Sequence, residues 1–217
     1  MTSRGTSEAP VRENKSPSKR TRMSPEARRD QLLEFGLEMV KERPLEEITI
    51  DAIADAAGVS RALLFHYFAS KQDYHVAIAQ AQADRLLACT EPDDSLGDPI
   101  AILTASMEAF VDFVSENRTA YTALIRGASS SDPAMRDVFD RTREVMVQRV
   151  LDHAPGFGVE VSPAVVLSVH GWIAFVEETA IRWLTEPTVS REELLALITG
   201  ALPALATAAV GASASAV

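Results

Sequence analysis

TIDAIADAAGVSRALLFHYFASK, residues Thr49 to Lys71, is the stretch on which the fold of this chain turns. Ile50, Ile53, Ala54 and Ala57 recur at spacings of three and four, the period of one face of a helix about two turns long. Thr49 stands where a hydroxyl can accept a backbone N–H of the first turn. Gly58 follows the last apolar position, where a residue that tolerates positive φ closes a helix cheaply. Ser60 offers a second N-cap, and Arg61 to Phe68 repeats the pattern with Leu64, Tyr67 and Phe68 inward. Two short helices joined by a tight glycine-bearing turn predict a helix-turn-helix. A B-DNA major groove admits one α-helix, and the first turn of the second helix reaches the base edges, which would place Arg61, Ala62 and Leu63 there. Helix, glycine, helix also occurs in all-α proteins that never meet DNA. The rings crowded at Phe65, His66, Tyr67 and Phe68, with Lys71 just beyond, make the signal denser than that bare pattern.

At these residues the chain resembles the TetR family of transcriptional regulators. The resemblance rests on a first helix near residues 25 to 42, then Thr49, the Ile53-Ala54 pair, Gly58-Val59-Ser60, the run from Leu64 to Phe68, and Lys71, in the family's order and spacing. It implies an all-α protein with an N-terminal three-helix helix-turn-helix domain that binds an operator and a C-terminal helical domain that binds a small molecule and dimerises. By the same resemblance Thr49, Ser60, His66, Tyr67 and Lys71 match positions of phosphate contact, while Arg61 and Leu63 face bases. Two departures stand out. Phe65 occupies a position where the family usually has tyrosine, which removes a hydroxyl donor, and Leu63 can offer a thymine methyl only apolar contact. Beyond about residue 85 the likeness is one of architecture.

Composition agrees with a soluble globular protein: 217 residues, 47% apolar and 24% charged, enough for one substantial core or two small domains. A net charge of −10 looks wrong for a DNA binder until its distribution is read. Residues 1 to 75 carry 12 basic and 12 acidic side chains, whereas the remainder carries 9 and 19. The acidic part would be repelled by phosphates, leaving the N-terminal domain as the face DNA tolerates. Cys89 is the only cysteine, so no intramolecular disulfide can form. There is no N-terminal apolar leader, and the most apolar run, Ala164 to Val176, is too short to span a bilayer and contains His170. A cytoplasmic protein without a membrane partner is expected.

Residues 1 to 22 read as a disordered basic tail, with Arg4, Arg12, Lys15, Lys19, Arg20 and Arg22, of the kind that can order against a minor groove or phosphates. Residues 23 to 72 form the expected DNA-binding domain, opened by Ser24-Pro25, a capping hydroxyl followed by proline at the first helical position. Leu32, Leu33, Gly36, Leu37 and Val40 supply its covering stripe, and Pro44 ends the helix. Residues 73 to 210 form the expected effector-binding and dimerisation domain, and 211 to 217 a flexible C-terminal tail. After Lys71 a linking helix is expected from Tyr74 to about Ala88, and further helices are predicted from Pro99 to Glu116, from Arg118 to Arg126 before Gly127, and from a start at Asp132-Pro133 to near Pro155-Gly156. Another follows Ser162-Pro163 to about Thr185, and a last one is capped by Ser190 and stops before Pro203. No period-2 strand pattern occurs.

Phe110, Phe113, Tyr121, Phe139, Met146, Trp172 and Phe175 are candidates to line a ligand cavity, and at helical spacing they serve equally as plain core. His170, Glu177, Glu178 and Arg182 lie on an apolar segment, either as polar groups of such a pocket or at a subunit face. Segment 164 to 184 is apolar on more than one side, which points to a homodimer using residues 164 to 203, Trp183 and Leu197 among them. His66, His75, His153 and His170 lack metal-ligand spacing, and neither a nucleophile elbow nor a phosphate loop is present. Neither a cofactor nor enzymatic activity is expected. The reading is a ligand-responsive regulator, most simply a repressor released from a palindromic double-stranded DNA operator by a small apolar effector. Its rivals are a helical ligand-binding protein without DNA function and a helical enzyme.

Overall fold

The computed structural model describes residues 23–126 and 132–214; the basic tail expected over residues 1 to 22 lies outside the described residues, as does Gly127. Nine α-helices and three short 3₁₀ turns make up the described residues, and no strand occurs among them. The helices are α1 Pro25–Glu42, α2 Ile50–Ala57, α3 Arg61–Tyr67, α4 Lys71–Cys89, α5 Pro99–Glu116, α6 Arg118–Arg126, α7 Pro133–His153, α8 Pro163–Thr185 and α9 Arg191–Ala214. Side-chain caps set most of the starts. Ser24 Oγ accepts from the Ala27 N–H at 3.1 Å, and Asp98, Asp132 and Ser162 accept in the same way ahead of Pro99, Pro133 and Pro163. Ser190 accepts from the Glu193 N–H at 3.1 Å while the Glu193 carboxylate accepts from the Ser190 N–H at 2.7 Å, a reciprocal capping box.

Two apolar clusters hold the fold together. The first joins Leu32 and Leu37 of α1, Ile53 of α2 and Leu64 of α3 to Tyr74 and Ile78 of α4, and it is completed by Ala120 and Leu124 of α6 and Met135 and Val138 of α7. The second is built by α5, α7, α8 and α9 around Phe110, Val114, Val147, Trp172 and Ile198, with Leu86 from the far end of α4. Helix α4 therefore contributes to both clusters. The three N-terminal helices do not close their own core without it.

The seat of α4 on α1 is specific. Tyr74, fully buried, donates its hydroxyl to the Leu32 carbonyl at 2.6 Å, and Arg85 pairs with Glu34. His75, also buried, donates from Nε2 to the Ile48 carbonyl at 3.2 Å; burial pushes its pKa down, so it stays neutral. Lys71 donates to the Glu46 carbonyl at 3.0 Å. Gly36 allows the close approach, because a Cβ there would stand 2.5 Å from the Tyr74 hydroxyl and 2.6 Å from Ile78 Cδ1. Gly36→Ala is accordingly expected to destabilise the protein by about 1–3 kcal/mol through overpacking, despite alanine's better helix propensity. Thermal unfolding measures this. An unchanged or raised Tm would mean that Tyr74 can turn aside.

Two expectations are corrected. Helix α9 does not stop before Pro203 but continues to Ala214, so Gly211 to Ala214 are helical rather than part of a tail. Proline removes one helical N–H and crowds the preceding turn, yet Leu194, Ile198 and Leu202 before it and Ala209 after it are all buried in the second cluster, and packing on both sides outweighs the local cost. The apolar run 164 to 176 is only part of α8, and both α8 and α9 are long and apolar enough to cross a bilayer. Their apolarity has a visible source, since each buries one side in the second cluster and leaves Leu167, Leu197 and Val210 exposed on another. On the inner face of the helix-turn-helix Leu64 and Phe68 are buried, and Tyr67 packs half-buried against the same cluster.

Candidate functional site

The turn between α2 and α3 forms as its residues require. Thr49 accepts from the Ala52 N–H at 3.1 Å, and Ser60 accepts from the Leu63 N–H at 3.2 Å. Gly58 sits in the left-handed region at φ 63°, which a β-carbon would disfavour, and the Val59 N–H reaches back to the Ala54 carbonyl at 2.9 Å. Leu64 and Phe68 anchor α3 from below. The Phe68 ring meets Tyr74 edge-on at 4.7 Å and carries the Arg29 guanidinium 5.0 Å above it.

With those two residues inward, the outer face of α3 is Arg61, Ala62, Phe65 and His66, all exposed. Leu63 and Tyr67 are half-buried at its edges, Thr49 and Ser60 are engaged as caps, and Lys71 is exposed at the first position of α4. Phe65, which stands where the family usually has tyrosine, is part of this outer face. It lies one turn beyond Arg61 on the same face. Arg61 is not idle: its Nε stands 3.1 Å from an Asp51 carboxylate oxygen, with both side chains about three-fifths exposed. A pair so exposed is worth little and exchanges readily for a phosphate or a base.

A second feature lies between α4, α5, α6, α7 and α8. It is a cavity of about 130 Å³, roughly ten times the room a single water needs. Phe110, Phe113, Tyr121, Phe139, Met146 and Trp172 line it together, as expected of them. Phe175 does not. It stands two residues on from Ile173, about 200° round the helix, and faces a shallow groove between α8 and α9 with Ser168, Gly171, Ala201, Ala204 and Leu205. Phe139 and His153, the first and last lining residues on α7, are fourteen residues apart and thus about 21 Å along its axis. A lining that extends this far along one helix suits a chain or a flat elongated body.

Its polar groups are few. Glu177 lines the cavity, and its carboxylate accepts from Arg143 Nε at 2.9 and 3.0 Å; burial pushes its pKa up against that arginine. Arg149 donates to the Leu87 carbonyl at 2.8 Å. His153 points one nitrogen at the Arg149 carbonyl and the other at an Asp94 oxygen, and since both partners accept, the charged ring fits best and Asp94 raises its pKa. Gln82 of α4, 5% exposed, lines the cavity too, as do the hydroxyl-bearing Thr90, Ser106, Tyr121 and Thr142. Gln82 and Arg149 escaped the sequence reading because a polar residue on a partly apolar helix looks like a solvent position until its neighbours are known. His170, Glu178 and Arg182 lie outside the cavity, with Glu178 bridging Arg126 and Arg182 on the surface. Among the described residues no group of histidine, cysteine or carboxylate side chains could hold a metal ion. On the outer side of α8 and α9, Leu167 is 74% and Leu197 51% exposed, while Trp183 donates to the Val189 carbonyl and closes the turn between the two helices.

A capped helix-turn-helix that holds one helix face outward, mounted on an all-helical body, defines a DNA-binding transcriptional regulator. The comparisons with known proteins agree. Residues 32–74 match the family described as bacterial regulatory proteins, tetR family, and residues 99–203 match the tetracyclin repressor-like C-terminal domain. The crystal structure of a tetR-family transcriptional regulator from Streptomyces coelicolor is 31% identical, covers 87% of this chain and 84% of its own, and superposes with a TM-score of 0.77. The HTH-type transcriptional activator FasR of Mycolicibacterium smegmatis is 28% identical over 165 residues, 75% of each protein. The fold is shared with the transcriptional regulator FadR of Bacillus subtilis, solved in complex with stearoyl-CoA, at 14% identity and a TM-score of 0.62 over 82% of this chain and 97% of that one. The chain belongs to the TetR family of transcriptional regulators. Its relatives are regulators, not enzymes.

Proposed function

We propose that this protein is a homodimeric regulator that binds a palindromic operator through α3 and is released from it by an elongated, largely apolar effector held in the cavity. One observation carries the reading: α4 supplies Tyr74 and Ile78 to the core of the helix-turn-helix and Ala79, Ala83 and Leu86 to the cavity wall, so one rigid element is shared by both sites. A ligand that shifts α4 by a fraction of a turn must carry the α3 face with it or break the Tyr74 and His75 hydrogen bonds. Arg61 faces bases, Leu63 and Phe65 offer apolar contact, and Thr49, Ser60, His66, Tyr67 and Lys71 lie along the phosphates. The exposed apolar face of α8 and α9 meets its copy about a two-fold axis, which matches the symmetry of a palindrome. Operator binding places the protein in the cytoplasm with the chromosome.

The likeness to FadR with bound stearoyl-CoA supports an acyl chain as the apolar body. Where the operator overlaps a promoter, release by effector makes the protein a repressor. The likeness to the activator FasR supports a second reading, in which the bound dimer assists transcription from an upstream site.

Titration with dodecanamide and methyl dodecanoate, followed by Trp172 emission, tests the reading, since Trp172 is fully buried and lines the cavity. Either probe should change the emission, Trp172→Phe should largely abolish the change, and the probe should weaken operator binding about 5- to 150-fold, with operator weakening probe binding by the same factor. Probes that leave Trp172 emission untouched would move the site elsewhere. Equal affinity for free and operator-bound protein would end the claim of coupling.

A further inference from the structure

Gln82 is anomalous. Its side chain is 5% exposed and lines the cavity, yet neither its Oε1 nor its Nε2 has a hydrogen-bond partner. Burying a carboxamide with both ends unmet is costly, and native proteins keep few such groups without a use for them. The neighbouring polar residues do not answer it: Arg149 is engaged with Leu87 and Thr90, Arg143 with Glu177 and Asp140, and the Thr142 hydroxyl donates to the Val138 carbonyl.

We propose that Gln82 is the specificity residue of the cavity and that the effector presents to it an amide, a group that donates and accepts side by side. This rests on the cavity being the effector site. The chemistry narrows the choice. A hydrocarbon satisfies neither atom of the carboxamide, and an ester carbonyl satisfies Nε2 alone. A hydroxyl has both capacities on one atom and meets one of the two at a time. A carboxylic acid is ionised at neutral pH and keeps no donor, so it answers Nε2 and leaves Oε1 unmet. An amide edge meets both atoms of Gln82 and introduces no charge. The position matters too: Gln82 is seven residues, about two turns, beyond His75 on α4, so the polar group of the effector grips the same helix that seats the DNA-binding face.

The test compares dodecanamide with methyl dodecanoate, two probes of equal chain length, by calorimetric titration of the wild-type protein and of Gln82→Met, a substitution of similar volume. Wild type is expected to prefer the amide about tenfold or more, because only the ester leaves Oε1 unpaired. Gln82→Met is expected to lose that preference and to melt no lower than wild type in the absence of ligand, since it removes an unpaired buried group. A wild-type protein that binds both probes equally, or a Gln82→Met protein that still prefers the amide, would overturn the proposal while leaving the cavity as the effector site. If neither probe binds wild type, the effector-site reading falls and this one with it. The wild-type comparison stands by itself should the variant fail to fold.

Discussion

Leu197→Glu is expected to convert the protein from dimer to monomer and to abolish tight operator binding. Leu197 is 51% exposed on the outer face of α9, beside the groove lined by Gly171, Phe175, Ala201, Ala204 and Leu205. In a two-fold interface the same substitution enters twice, and each buried carboxylate without a partner costs several kcal/mol. The dimer dissociation constant should therefore rise on the order of 10³-fold or more. Operator affinity falls with it, because a monomer holds one half-site. The substitution is chosen over one at Trp183, whose indole closes the α8–α9 turn and whose loss would perturb the fold itself. Sedimentation of wild type and variant at micromolar concentration decides the matter: a wild-type monomer, or a Leu197→Glu dimer, would remove the α8 and α9 face from the interface.

Arg61→Ala should lower the preference for operator over random DNA by about 1–3 kcal/mol, roughly 5- to 150-fold, if its guanidinium reads a guanine edge. Its exposed pair with Asp51 contributes little to folding, so the variant should melt like wild type and the loss should appear only on DNA. Binding isotherms on operator and on random duplex at matched salt separate the effects. A fall in both by the same factor would make Arg61 a phosphate contact, and no fall in either would leave it outside the interface.

Much of this molecule was legible because its helices begin with chemistry that has one reading. Ser24-Pro25, Thr49, Ser60, Asp132-Pro133 and Ser162-Pro163 each cap a helix in the structure as the sequence implied, and Gly58 takes the left-handed conformation its place required. Resemblance to a family added what spacing could not, the particular positions expected to meet phosphates. The failures share a different cause. The local meaning of Pro203 is a helix end, but a helix packed along its whole length can absorb one proline, and the packing of Ala209 is invisible in a stretch of alanines. Periodicity groups Phe175 with Trp172, because it reports that a face is apolar without saying which of two apolar faces meets the cavity. Gln82 had no signal at all. Its importance arises from neighbours on α5, α6 and α7 that are distant in sequence, and from the absence of any partner among them.

The most direct test of DNA recognition by a two-fold dimer is selection of binding sites by the full chain from a random duplex pool, followed by footprinting on the enriched sequence. The expected result is a palindrome whose protected half-sites are centred about 10–10.5 bp apart, or a multiple of that, as two α3 helices in successive major grooves require. Arg61→Ala should relax the enriched sequence within each half-site. No enrichment over the starting pool, or a single unsymmetrical footprint from a protein that sediments as a dimer, would contradict it.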